Sequence, residues 1–304
     1  MTSNGDGIVF SSLKSLLALQ AKARVLALGK HRIRAKNIGS HLSVFKGRGM
    51  DFAESRPYQP GDDVRTLDWR VTARTGKPHT KVFQEERERP VLIWVDMRSA
   101  MFFGTQGSYK SVVAAELAAL LVWKSKDDGD HVGGMLVSSD KHLEAKPART
   151  KNAVVQFLKQ ISAFSKQPAE TQTIKSLADD WRRLRRVVST GSRVFILSDF
   201  RGVDKVALRQ LIAIQQHAEV TLIPITDPIE TELPEADELQ VTSGKRFFSI
   251  NLKNRLWVKR YEKKTQDRLQ SLKSFARKYR LGWISMSTAD DCNDRLRKLI
   301  GALR

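Results

Sequence analysis

Two aspartates at the ends of apolar runs are the residues of this chain best placed to do chemistry. Val91, Leu92, Ile93, Trp94 and Val95 run without polar alternation into Asp96, the pattern of a strand covered by helices on both sheet faces. Val194 to Leu197 repeat the pattern and run into Ser198 and Asp199. In an open α/β sheet, ligands bind in the crevice outside the carboxyl ends of the strands. If the two strands are parallel neighbours, both carboxylates stand on one rim. Such a pair suits ligand binding or, around a catalytic ion, metal-dependent hydrolysis.

A denser array of charge precedes the first strand. Asp62, Asp63 and Asp68 alternate with Arg56, Arg65, Arg70 and Arg74, and Pro60 with Gly61 marks a tight turn. One reading is a loop held by internal bidentate pairs between arginine and carboxylate. The other is a docking surface presented by Arg65 and Arg70, with Tyr58 and Trp69 as aromatic anchors, although core packing is the expected fate of Trp69.

Signals for other enzymes are absent from the sequence. GTQGSYKS at 104–111 lies between a strand and a helix like a phosphate-binding loop, but that motif needs glycine directly before lysine, and Tyr109 intervenes before Lys110. The six histidines show no metal-binding spacing, and no Gly-x-Ser-x-Gly elbow occurs. The chain is therefore expected not to be an enzyme.

The elements that position the rim alternate in type. Helices are expected at 109–126, 151–164, 174–188 and 203–217, with strands at 131–138 and 220–225, which together imply a mainly parallel sheet with right-handed crossovers. A short turn near Lys141 is expected to lead directly into the second helix. Pro228 and Pro234 open an acidic stretch, PIETELPEADE, read as a solvated loop, and a hairpin is expected at 241–250 around Ser243 and Gly244. A basic helix follows over 254–279, with Leu256, Trp257, Tyr261, Leu269, Leu272 and Phe275 as its packing stripe and its cations, Arg268 among them, outward. A strand at 283–286 and a helix at 292–303 close the chain.

With 304 residues and 41% apolar side chains the chain is a folded protein. Its net charge of +20 lies at the two ends: residues 1–90 carry 17 basic and 9 acidic side chains, and residues 245–304 carry 17 and 5. Such ends could meet nucleic acid, an anionic membrane surface or an acidic protein. Cys292 is the only cysteine, so no internal disulfide can form, and a reducing, cytoplasmic setting is expected. Lys14, Gln20, Lys22 and Arg24 interrupt the apolar stretch from Ile8 to Leu28, which reads as an amphipathic packing helix rather than a transmembrane segment.

The motifs GRGMDF, SRPYQPGDDVRTLDWRVTAR, EERERPV, VDM, FFGT and, more weakly, LSDF closely resemble the family called domain of unknown function 58, whose members carry a von Willebrand factor A-like domain. The resemblance implies a Rossmann-like sheet with helices on both faces over 90–304, an insertion near 228–252, and a family-specific basic segment over 1–89. It also implies a rim at which magnesium is held by Asp-x-Ser-x-Ser, a threonine and a second aspartate. Here those positions read Asp96, Met97, Arg98, Ser99 and Ala100, with Asp199 as the second carboxylate and Thr171 or Thr173 by loop position. Both motif serines are lost, and Arg98 brings donors where the ion needs acceptors. Three outcomes stay open: Arg98 stands in for the ion and leaves the rim to a partner's carboxylate, magnesium is retained, or the pair is structural. The resemblance further implies an adaptor or cofactor working with a MoxR-type AAA+ ATPase on a client complex, with Asp96, Arg98, Ser99 and Asp199 presented on the rim. A nucleic-acid-associated basic protein and, behind it, a metal-dependent hydrolase are the rivals.

Overall fold

The computed structural model describes residues 5–26, 50–85, 89–166, 176–234, 236–242 and 247–303. The chain divides into two compact units, Met1–Lys30 with Arg89–Arg304, and His31–Glu88. The N-terminal helices thus belong with the α/β unit, not with the charged segment to which the sequence reading over 1–89 joined them.

In the larger unit, α1 (Leu13–Ala18) and α2 (Gln20–Ala23) open the chain. Leu16, Ala23 and Leu26 are buried in its core, and Trp123 donates its indole N–H to the Leu16 carbonyl. In the smaller unit, β1 (Met50–Pro57) pairs antiparallel with β2 (His79–Glu85), with α3 (Trp69–Thr75) between them.

The central sheet is built from β3 (Pro90–Asp96), β4 (His131–Val137), β5 (His142–Ala148), β6 (Arg193–Ser198) and β7 (Glu219–Thr226), with short β10 (Gly282–Trp283) and β11 (Met286–Ser287) both pairing with β7. The order is β10-β7-β6-β3-β4-β5. Every pairing is parallel except β4 with β5. The edge strand β5 is missing from the sequence reading, which has only a turn there. Its side chains are mostly exposed or half-buried and Pro147 sits within it, so it lacks the apolar run of the buried strands and carries a residue confined to edges.

Helices cover both faces, as expected. They are α4 (Lys110–Asp127), α5 (Lys151–Ser165), α6 (Ala178–Val187), α7 (Lys205–Gln215), the single turn α8 (Pro228–Thr231), α9 (Arg255–Lys278) and α10 (Cys292–Leu303). Period-2 alternation sorts the strand side chains between two cores. Val91, Ile93, Val95, Phe195 and Leu197 pack with α1, α4 and α5; Leu92, Trp94, Val194 and Ile196 pack with α6, α7 and α9. Burying each large side chain contributes roughly 1.5–3 kcal/mol. Helix α4 is buried almost all round, which explains why its sequence is apolar beyond a single stripe.

The insertion contains α8 and an antiparallel pair, β8 (Glu238–Thr242) with β9 (Phe247–Asn251), bracketing the expected hairpin. On α9 the packing stripe is narrower than expected. Val258, Leu272 and Ala276 are buried, whereas Leu256 and Trp257 remain 79% and 41% exposed. No helix among the described residues is long and apolar enough to cross a membrane.

Candidate functional site at the carboxyl edge of the sheet

Strands β3 and β6 are parallel neighbours, and the chain leaves them toward opposite faces: α4 follows β3 onto one core and α7 follows β6 onto the other. That divergence is a topological switch point, where an open sheet forms its crevice. Asp96 ends β3, Asp199 follows β6, and Asp227 follows β7; all three are fully buried.

Each carboxylate is satisfied from within the chain. Asp96 Oδ1 accepts from the Arg98 backbone N–H at 3.0 Å and from Nε at 2.9 Å, and Oδ2 accepts from Nη2 at 2.7 Å and from Ser198 Oγ at 2.6 Å. The two-residue spacing lets the Arg98 fork fold back on Asp96. Burial opposes the Arg98 charge, but Asp96 beside it outweighs burial and raises the guanidinium pKa. Arg98 Nη2 also donates to the Arg201 carbonyl at 2.9 Å.

Asp199 is held by a cation that the sequence reading did not select. Lys110, in the first turn of α4 and fully buried, places Nζ 3.1 Å from Asp199 Oδ2 and 2.6 Å from Glu230 Oε1. Phe200 takes φ 55, a left-handed backbone unusual for a bulky residue, and its ring packs edge-on against Trp181. The sharp bend returns the Arg201 N–H to Asp199 Oδ1 at 3.0 Å, and Arg201 Nη2 reaches Glu230 Oε1 at 2.8 Å. Burial pushes the Asp199 carboxyl up, but Lys110 and Arg201 together hold it below the ordinary carboxylate value.

Glu230 arrives through local capping. Asp227 and Glu230 form a reciprocal capping box around α8, with Pro228 at its start. The acidic stretch is therefore not simply a solvated loop: Glu230 is 1% exposed. Asp227 is stabilised as an anion without a cation, by hydrogen bonds from Thr105 and Thr288. Burial raises its pKa, and these hydrogen bonds more than offset that.

These donors do not fit magnesium. Asp96 and Asp199 already accept from cations, and the two motif serine positions hold Arg98 and Ala100. The described residues contain no cluster of three or more His, Cys, Asp or Glu able to hold a metal. Thr171 and Thr173 lie outside the described residues. Ser99 is half-buried at the rim, its N–H donating to Ser139 Oγ.

Arg65 and Arg70 belong to the smaller unit and are exposed. Arg56 with Asp62 is the one ion pair formed in the array among the described residues, with a single contact at 2.8 Å. Asp63 and Asp68 instead accept backbone N–H groups at the starts of a 3-10 turn and of α3. This corrects the expected set of bidentate pairs: short acidic side chains before a helix find N–H donors nearer than any guanidinium. Trp69 is 70% exposed, not core, because α3 buries none of its residues; Tyr58 is half-buried.

Uncharacterized proteins of Mycobacterium tuberculosis (strain H37Rv) and Mycobacterium bovis are each 34% identical to the chain over 239 residues, covering 77% of it and 74% of their own length. Among solved structures, it is similar to a conserved hypothetical protein BatB from Bacteroides thetaiotaomicron, at TM-score 0.44 and 14% identity over 71% of this chain and 97% of that one. It is also similar to an aerotolerance-related membrane protein from Bacteroides fragilis, at TM-score 0.43 and 13% identity over 71% and 98%. Residues 54–270 match the family described as protein of unknown function DUF58, and with a match of that extent the chain belongs to this family.

Proposed function

We propose that the chain is a non-enzymatic, protein-binding adaptor that works in the cytoplasm beside a MoxR-type AAA+ ATPase, in assembling, activating or remodelling a client complex. The observation that supports this reading is the pairing of Asp96 and Asp199 with the chain's own cations. A general base needs an acceptor within reach of substrate, and magnesium needs oxygens free of cationic donors. Asp96 and Asp199 offer neither, so the rim is read as a metal-free recognition surface. Ser99, Phe103 and Arg201 keep part of their surface exposed there. The family resemblance supplies the class of partner.

The test is affinity capture of the tagged chain from its own cells with and without ATP, compared with Ser99→Tyr, which adds bulk at the rim without removing a buried charge. Nucleotide-dependent recovery of an AAA+ ATPase, weakened by the substitution, is the expected result. Hydrolytic activity in an ATPase-free preparation would overturn the reading. Titration calorimetry with magnesium is expected to show no stoichiometric binding, and saturable binding lost in Asp96→Ala would overturn the metal-free rim.

A second reading rests on α9. Arg255, Lys259, Arg260, Lys263, Lys264, Lys273, Arg277 and Lys278 are exposed along it, and none forms an ion pair among the described residues. That face could attract nucleic acid by counterion release. Duplex binding that survives physiological salt and depends on sequence would favour it over the adaptor.

A further inference from the structure

Around Asp199 and Glu230 the larger unit gathers three cations. Lys110 bridges the two carboxylates, and Arg201 contacts both, with Nε 3.5 Å from Asp199 Oδ2. A third cation, Arg268, belongs to the same group. It lies on α9, which packs against α8, the turn carrying Glu230, and the Leu233 N–H fixes this packing by donating to Glu262 Oε1 at 3.0 Å. Arg268 is half-buried rather than turned outward with the other cations of the helix. Its Nε is buried with no hydrogen-bond partner, and the side chain makes no hydrogen bond or ion pair among the described residues. Burial works most strongly against its charge; Asp199 favours the charge, Arg201 opposes it and Glu230 favours it.

A guanidinium offers five N–H donors, and a buried donor without an acceptor costs free energy that an incoming acceptor recovers. Arg201 is also short of acceptors, since its side chain is 32% exposed and its Nη1 is unbonded among the described residues. We propose that Arg201 and Arg268 together form a receptor for one carboxylate of a protein partner, an aspartate or glutamate side chain of an acidic segment. This rests on the adaptor reading and names the chemistry of the contact.

Charge selects carboxylate over phosphate. Lys110, Arg201 and Arg268 stand against Asp199, Glu230 and the adjoining Asp227, while Asp96 and Arg98 cancel. A carboxylate brings one negative charge rather than two, and its two oxygens match the guanidinium fork. A phosphate dianion would add a second negative charge beside three buried carboxylates, Asp199, Asp227 and Glu230.

The experiment follows the arginine Nε–Hε resonances of the full-length chain by NMR during titration with sodium acetate, against sodium chloride at equal ionic strength. Signals are assigned with Arg201→Lys and Arg268→Lys. Saturable shifts at both residues are expected. Arg268→Gln should weaken acetate affinity by about tenfold, the loss of one charge-assisted contact, and Lys263→Gln on the exposed face of α9 should leave it unchanged. Shifts linear in acetate, or stronger binding of inorganic phosphate at the same two signals, would overturn the receptor; the wild-type titration decides this even if a variant fails to fold. Capture of the ATPase distinguishes the two readings. If capture survives Arg268→Gln while acetate binding is lost, the partner-carboxylate assignment fails and the adaptor stands. If acetate saturates but the wild type captures no ATPase, the adaptor fails and the carboxylate site stands.

Discussion

The two charged regions of this protein use the same residue types in opposite regimes. In the smaller unit, the array from Arg56 to Arg74 is dense in sequence but exposed, with one ion pair among its described residues and carboxylates spent on backbone caps. At the sheet edge, Asp96, Arg98, Lys110, Asp199 and Glu230 are scattered over more than 130 positions yet packed together out of water. Solvent screens charges in the first region, so each contributes little alone. In the second, removing one partner strands the others in a poor solvent for ions. Density of charge along the chain is therefore a weak guide to where electrostatics shapes the fold.

Lys110→Met breaks the comparison most severely. It leaves Asp199 and Glu230 sharing only the part-exposed Arg201, and is expected to cost about 3–5 kcal/mol in denaturant unfolding. A cost near zero would mean that water or a neighbour replaces the ammonium, and that the rim behaves like the exposed array. Acid sharpens the same point. The folded Asp199 carboxyl sits below its ordinary value, so its contribution is present at neutral pH and is lost as pH falls through the folded value. The unfolding midpoint should hold from pH 7 to about pH 4 and fall below it. In Lys110→Met this fall should shrink or reverse, because without the cation burial pushes the folded Asp199 carboxyl up, and its protonation in acid then relieves a buried charge.

The sheet and its rim were legible because their signals are local. Apolar runs ending in Asp96 and Asp199 mark buried strands, and the spacing of Asp96 and Arg98 anticipates their pairing. Lys110 was not legible: a cation in the first turn of a helix looks the same buried or exposed, and only the tertiary fold brings it to Asp199, 89 positions away. The one hint was the near-match to a phosphate loop, which placed a lysine at the carboxyl end of β3. Glu230 was hidden in an acidic stretch where Glu232 and Asp237 are indeed exposed, and Arg268 in a run of basic residues that mostly face solvent. Composition averaged both away.

Within the smaller unit the largest effect belongs to a cap. Asp68 accepts from the Arg70 and Val71 N–H groups and from Ser55 Oγ at 2.7 Å. Asp68→Ala should lower the melting temperature of this unit by roughly 5 °C, as loss of an N-cap does, while Asp68→Asn should keep most of it.

Arg65→Ala and Arg70→Ala are expected to do least to stability. Both side chains are exposed and neither forms an ion pair among the described residues, so the melting temperature should move by less than about 2 °C. Stability is then separable from recognition. If these substitutions weaken capture of the ATPase or its client while melting holds, the unpaired arginines serve as a docking surface, with exposed Trp69 beside Arg70 in sequence as an available anchor. If melting collapses instead, the array holds its own fold through contacts beyond caps and the single Arg56 pair, and the contrast between a screened and a buried set of charges fails at its exposed end.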